Sequence, residues 1–220
     1  MPGWLRSVGF GPLTWMLSNA TSTAWINQHQ RRGSQGEEDD RSRAVRTGSG
    51  QRAQVRKDGE KWTLILVREL RHSPEKVWQA LTDPAHLREW APFEADGNLG
   101  AVGTVKLTWV GMPTPQEARV TRADALRVLE YNDVRWELEA FGGGTRLTLR
   151  HNIDRRFISM GAAGWHICFD VLDQLLSGTP IGRIVGGEAM KFGGWQRLNA
   201  EYAKQFGVEP PGWTANAPKP

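Results

Sequence analysis

His151 and Tyr131 are the residues of this chain best placed to do chemistry. Leu147, Leu149 and His151 alternate with Arg146, Thr148 and Arg150, so the histidine shares the apolar side of a strand. An imidazole there could act as a general base or donate a hydrogen bond to a ligand, or simply bond a nearby backbone carbonyl. Tyr131 alternates with Leu129 on the apolar side of another strand and is the second acid–base candidate. Thr82 and His166 complete the polar residues that could point inward. His166 and Asp170 stand four apart, a spacing that suits two metal ligands on one helix turn. No third ligand accompanies them, and on the polar side of a helix a solvated pair is expected instead. Cys168, the single cysteine, lies among apolar positions with no base beside it, so a nucleophilic role is not expected. The sequence holds no Walker loop, no G-x-G-x-x-G and no G-x-S-x-G elbow. Neither a metal nor a cofactor is expected.

The elements that must position these residues are legible in the spacing. Residues 164–176 (GWHICFDVLDQLL) place Trp165, Cys168, Phe169, Leu172, Leu175 and Leu176 at steps of three and four. That predicts a helix with one broad apolar face, and a polar face carrying His166, Asp170, Asp173 and Gln174 toward water. A loop is expected before it, around residues 154–161. Trp62 to Arg68 reads as a first strand. Ser73-Pro74-Glu75 then caps and starts one short helix, and Asp83-Pro84 a second. Alternation returns over residues 102–110, 116–121, 126–131 and 134–140, and Gly142-Gly143-Gly144 links the last two strands in a hairpin. Each strand has one apolar and one charged side, which predicts an antiparallel sheet wetted on one face. A Gly-rich connector over residues 182–194 leads to a last amphipathic helix through Trp195, Leu198, Tyr202 and Phe206, expected to pack outside the main core.

Charge is unevenly placed. Residues 1–57 hold nine Arg or Lys against four Asp or Glu, while the remainder is near neutral. Residues 31–57 contain almost no large apolar side chains, so residues 1–57 are expected to be a disordered basic extension. The folded part spans residues 58–207, and residues 208–220 read as a loose Pro-rich tail. A near-neutral domain gives no basic groove for nucleic acid. No apolar run is long enough to span a membrane. Residues 8–17 are broken by Gly9, Gly11 and Pro12, so a secretory signal is not expected. The lone cysteine points to a reducing compartment, and the expected location is cytoplasmic.

At the residues themselves, Ser73-Pro-Glu-Lys-Val-Trp-Gln-Ala-Leu-Thr-Asp-Pro84 with Leu87-Arg-Glu-Trp90 resembles the START-like SRPBCC superfamily. Gly142-Gly-Gly-Thr-Arg-Leu-Thr-Leu-Arg-His151 and Gly164-Trp-His-Ile-Cys-Phe-Asp170 resemble the last strand and long helix of its subgroup named after the activator of the heat-shock-protein-ninety ATPase. The resemblance covers about residues 60–207. It implies an α+β helix-grip fold: a curved antiparallel sheet wrapped around a long C-terminal helix, with two short helices after the first strand. The extra C-terminal helix is read from this chain. It also implies a cavity between sheet and long helix that holds apolar small molecules. The expected lining is Trp90 and Phe93, then Leu107, Trp109, Leu129, Tyr131, Trp136, Leu138, Leu149 and His151 from the sheet, with Trp165, Phe169 and Leu172 from the helix.

Three functions follow as expectations. The first is non-catalytic binding of a small apolar or aromatic molecule. The second is a cyclase- or hydrolase-type enzyme using the same pocket, with His151 and Tyr131 as its acid–base pair. The third is stimulation of a chaperone ATPase. In the subgroup that role relies on a further folded N-terminal domain, which residues 1–57 are too short and polar to supply.

Overall fold

The computed structural model describes residues 52–209. Its first strand, β1 (Arg52–Asp58), pairs with β2 (Lys61–Leu70) across Gly59, which sits at φ +58°. Residues 52–57 therefore belong to the sheet and not to the N-terminal extension. Ala53 is buried and Val55 half-buried while Gln54 and Arg56 face out, so the strand hides in a polar, charge-rich stretch. The rest of the expected extension and the tail from residue 210 lie outside the described residues.

Helices α1 (Pro74–Thr82) and α2 (Pro84–Trp90) start where the caps predict. Ser73 accepts from the Lys76 amide and Asp83 from the Ala85 amide, each with proline at the first helical position. Trp90 Nε1 donates to the Ala80 carbonyl at 2.9 Å and ties the two helices together. Six strands follow: β3 (Phe93–Ala95), β4 (Gly103–Trp109), β5 (Gln116–Asp124), β6 (Val128–Tyr131), β7 (Val134–Phe141) and β8 (Gly144–Asn152). All pairings are antiparallel and form one sheet in the order β1-β2-β8-β7-β6-β5-β4-β3. A register shift between Val120 and Arg122 moves the inward side of β5 from Ala118 and Val120 to Ala123, an irregularity of the kind that bends a strand.

The β7–β8 hairpin closes on Gly142 and Gly143, at φ +58° and +78°, the two positive angles that a tight two-residue hairpin turn asks for. Gly144 is required for a different reason. A Cβ there would stand 2.1 Å from the Leu70 carbonyl oxygen, so only glycine lets β8 approach the end of β2.

After a 3-10 turn (Arg155–Phe157) comes α3 (Ile158–Leu176), six residues longer at its start than the apolar period predicts. Residues 158–161, expected as loop, are helical. Gly161, Ala162, Ala163 and Gly164 add no bulk that would mark an apolar face. Two further helices, α4 (Gly186–Lys191) and α5 (Gly193–Phe206), complete the described chain, and Gly207 ends α5 in the left-handed conformation. One side of α3 lies on β2, α1 and α2, and α5 covers another. Trp195, Leu198 and Tyr202 of α5 thus join the same buried cluster as the sheet rather than lying outside it. Lys76 Nζ caps the Leu176 carbonyl at 2.6 Å, and Gln205 Nε2 reaches the Ala53 carbonyl at 2.8 Å.

Candidate functional site

The strand register and α3 bring the thirteen expected lining residues into one buried cluster, none more than 7% exposed. Trp136 is at its centre. Its ring centroid lies 6.0 Å from Trp90, 5.4 Å from Trp165 and 5.7 Å from Phe169. Phe93 contacts Trp109 at 5.1 Å and Tyr131 at 6.0 Å. Most of these pairs meet edge to face, the arrangement that the ring quadrupoles favour. Trp109 and Trp165 are the rings nearest solvent, each 5% exposed.

The two acid–base candidates enter this cluster from neighbouring strands. Tyr131 faces Val134 across β6–β7, and Val134 faces His151 across β7–β8. Trp165 Nε1 donates to His151 Nδ1 at 3.1 Å, and Trp136 Nε1 donates to the Tyr131 hydroxyl at 3.2 Å. His151 Nε2 is buried with no hydrogen-bond partner. Burial lowers the imidazole pKa to about 4 and pushes the Tyr131 phenol well above its ordinary value. Both groups are neutral near pH 7.

The His151 shift makes a pH prediction. The unfolded chain takes up a proton at this residue below about pH 6.5, and the folded one only near pH 4. Stability from the neutral imidazole is therefore present above pH 6.5 and is lost as pH falls toward 4. Between pH 7 and 4.5 the loss is about 2–3 kcal/mol. Urea unfolding of the parent chain and of His151→Phe measures it, and the variant should lack this component of the pH slope.

The other expected polar residues have different surroundings. Thr82 Oγ1 donates to the Trp78 carbonyl at 2.9 Å and stays with its own helix. Cys168 is buried, and desolvation raises its thiol pKa to about 12, so it remains a thiol. His166 and Asp170 are not the solvated pair that the helix pattern predicts: each is 3% exposed. The Tyr202 hydroxyl of α5 lies 2.8 Å from His166 Nδ1, while His166 Nε2 is 3.6 Å from Asp170 Oδ2. Arg68 of β2 pairs with Asp170 from the other side. Arg68 escaped the sequence reading, although it stands at the inward parity of Leu64, Leu66 and Leu70. No group of three or more metal-ligating side chains occurs among the described residues.

A groove of about 390 Å³ opens on the outer face of the sheet, lined by Arg56, Thr63, Glu130, Arg135 and Arg150 among others. Three of its charges are paired: Arg135 with Glu130, and both Arg135 and Arg150 with Glu137 at 2.7 and 3.1 Å. A polar, open surface of this kind does not suit an apolar ligand.

An antiparallel sheet closed over a long helix, with an aromatic interior that includes His151 and Tyr131, defines a helix-grip domain. The family described as activator of Hsp90 ATPase homolog 1-like protein matches residues 71–177, and over these residues the chain is similar to it. Solved structures share the fold. A conserved protein of unknown function, EF2215 from Enterococcus faecalis, superposes with a TM-score of 0.55 at 16% identity, covering 78% of this chain and 98% of its own. The solution structure of CalU16 from Micromonospora echinospora gives 0.53 at 18% identity, covering 73% and 98%. At these identities the likeness concerns the fold alone. No curated protein matches the chain. Among the described residues no helix is long and apolar enough to cross a membrane.

Proposed function

We propose that this domain binds a small apolar or aromatic molecule between the sheet and α3, without catalysing a reaction on it. The observation that carries this reading is His151 Nε2, a polar atom buried under an aromatic cluster and left without a partner. Buried polar groups are nearly always hydrogen-bonded, and one that is not asks for an explanation, of which a bound molecule is one. Apolar surroundings with a few polar groups are the usual make-up of a small-molecule site.

The enzyme alternative is weakened by the same geometry. A general base needs a free lone pair, but the His151 lone pair on Nδ1 is taken by the Trp165 indole N–H. Tyr131 is held as a neutral phenol and Cys168 as a neutral thiol, so neither is an activated nucleophile.

The test is a thermal-shift screen of the full chain against lipids, polyketides, flavonoids and small aromatics. A ligand at a hundred times its dissociation constant adds about 2.7 kcal/mol, which raises Tm by roughly 5–10 °C for a domain of this size. The rise should vanish in a folded Trp165→Ala variant. A panel-wide absence of any shift would overturn the reading.

A further inference from the structure

At the C-terminal end of α3, side chains from two elements converge on one nitrogen. His72, in the turn between β2 and α1, places Nε2 3.3 Å from Asp173 Oδ1 and 3.4 Å from Ser177 Oγ. Asp173 and Ser177 stand one turn apart where α3 ends, and the Ser177 amide bonds the Asp173 carbonyl at 2.9 Å. Both contacts to His72 are longer than an ordinary N–H···O bond, which spans about 2.7–3.2 Å. They match instead the edges of a tetrahedron of ligands. Zn2+ bonds nitrogen and oxygen at about 2.0–2.1 Å, so neighbouring ligand atoms stand about 3.3–3.4 Å apart.

We propose that His72, Asp173 and Ser177 hold a Zn2+ ion, with water as its fourth ligand. The ion staples the start of α1 to the end of α3, at a place separate from the aromatic cluster. Its ligands are held in advance. Thr145 Oγ1 donates to the His72 carbonyl at 2.7 Å, and the His72 and Asp173 side chains are only 12% and 21% exposed. The negative end of the helix dipole favours a cation here. Lys76 Nζ answers the same field, on the Leu176 carbonyl at 2.6 Å, an acceptor that the ion does not need. One imidazole nitrogen with one carboxylate suits Zn2+ better than Mg2+ or Ca2+, which take more oxygen ligands.

The experiment treats the full chain with EDTA, desalts it, and follows ZnCl2 addition by calorimetry and thermal unfolding. Zn2+ at a hundred times its measured dissociation constant should raise Tm by roughly 5–10 °C. MgCl2 should give no rise. His72→Asn and Asp173→Asn should each abolish the zinc effect. His86→Asn should keep it, although His86 Nδ1 also lies near a carboxylate, 3.6 Å from Asp83 Oδ2 on a more exposed surface. Should the His72 or Asp173 variant not fold, histidine side-chain NMR of the parent chain decides. The His72 ring resonances should then move with Zn2+ and those of His86 should not. A rise that survives in His72→Asn, or movement at His86 alone, would mean adventitious surface binding and would overturn the proposal. So would the absence of any rise at millimolar ZnCl2.

Discussion

Asp170→Ala is expected to destabilise the domain by about 3–5 kcal/mol, because it takes the paired carboxylate away from a buried cation. The Arg68 and Asp170 side chains are 9% and 2% exposed, too far from water for solvent to take over the lost partner. The guanidinium left behind keeps its full desolvation cost, and His166 loses the carboxylate 3.6 Å from its Nε2. Removing both members is a different experiment. Arg68→Met combined with Asp170→Leu should cost far less than the single change, since well-packed apolar residues often replace a buried ion pair without loss. Denaturant unfolding of the parent, Arg68→Met, Asp170→Leu and the double variant forms a complete cycle. A loss below 1 kcal/mol in Asp170→Ala would mean that the pair behaves like a surface one and that α5 does not seal it from water.

Trp136→Ala should cost a similar amount, about 3–5 kcal/mol, through a cavity rather than a charge. Trp136 is 1% exposed and touches rings from α2 and α3 as well as the hydroxyl of Tyr131. Its removal takes away the common contact of Trp90, Trp165 and Phe169. The vacated volume is apolar and ring-shaped, so added indole should recover part of the lost stability. Unfolding curves with and without indole measure both effects. Full stability in the variant would show that the ring does not bridge helix and sheet.

The sequence carried the local grammar of this fold well. Serine and aspartate caps ahead of prolines marked α1 and α2, and paired glycines marked the last hairpin, because those signals act within a few residues. Alternation picked out inward residues that the structure gathers into one cluster. The failures share a different cause. β1 was lost because an edge strand exposes one face, so Ala53 and Val55 are outnumbered by charge, although Asp58-Gly59 is itself a hairpin signal. The first turns of α3 lack a capping side chain at Phe157 and run through small residues. The burial of His166 and Asp170 depends on Tyr202, more than thirty residues later, and on Arg68, about a hundred residues earlier. A helical wheel sees only its own helix. The polar stripe of α3 reads as solvated until the partners that cover it are known.

The most direct test of the central claim is where a bound molecule is felt. Tryptophan indole N–H resonances of the full chain would be followed by NMR during titration with a ligand from the thermal-shift screen. Binding between sheet and α3 predicts shifts at Trp136 and Trp165, whose N–H groups bond Tyr131 and His151, with Trp62 and Trp78 unmoved. Shifts confined to Trp62 or Trp78, which lie at the margin of the cluster, would contradict it.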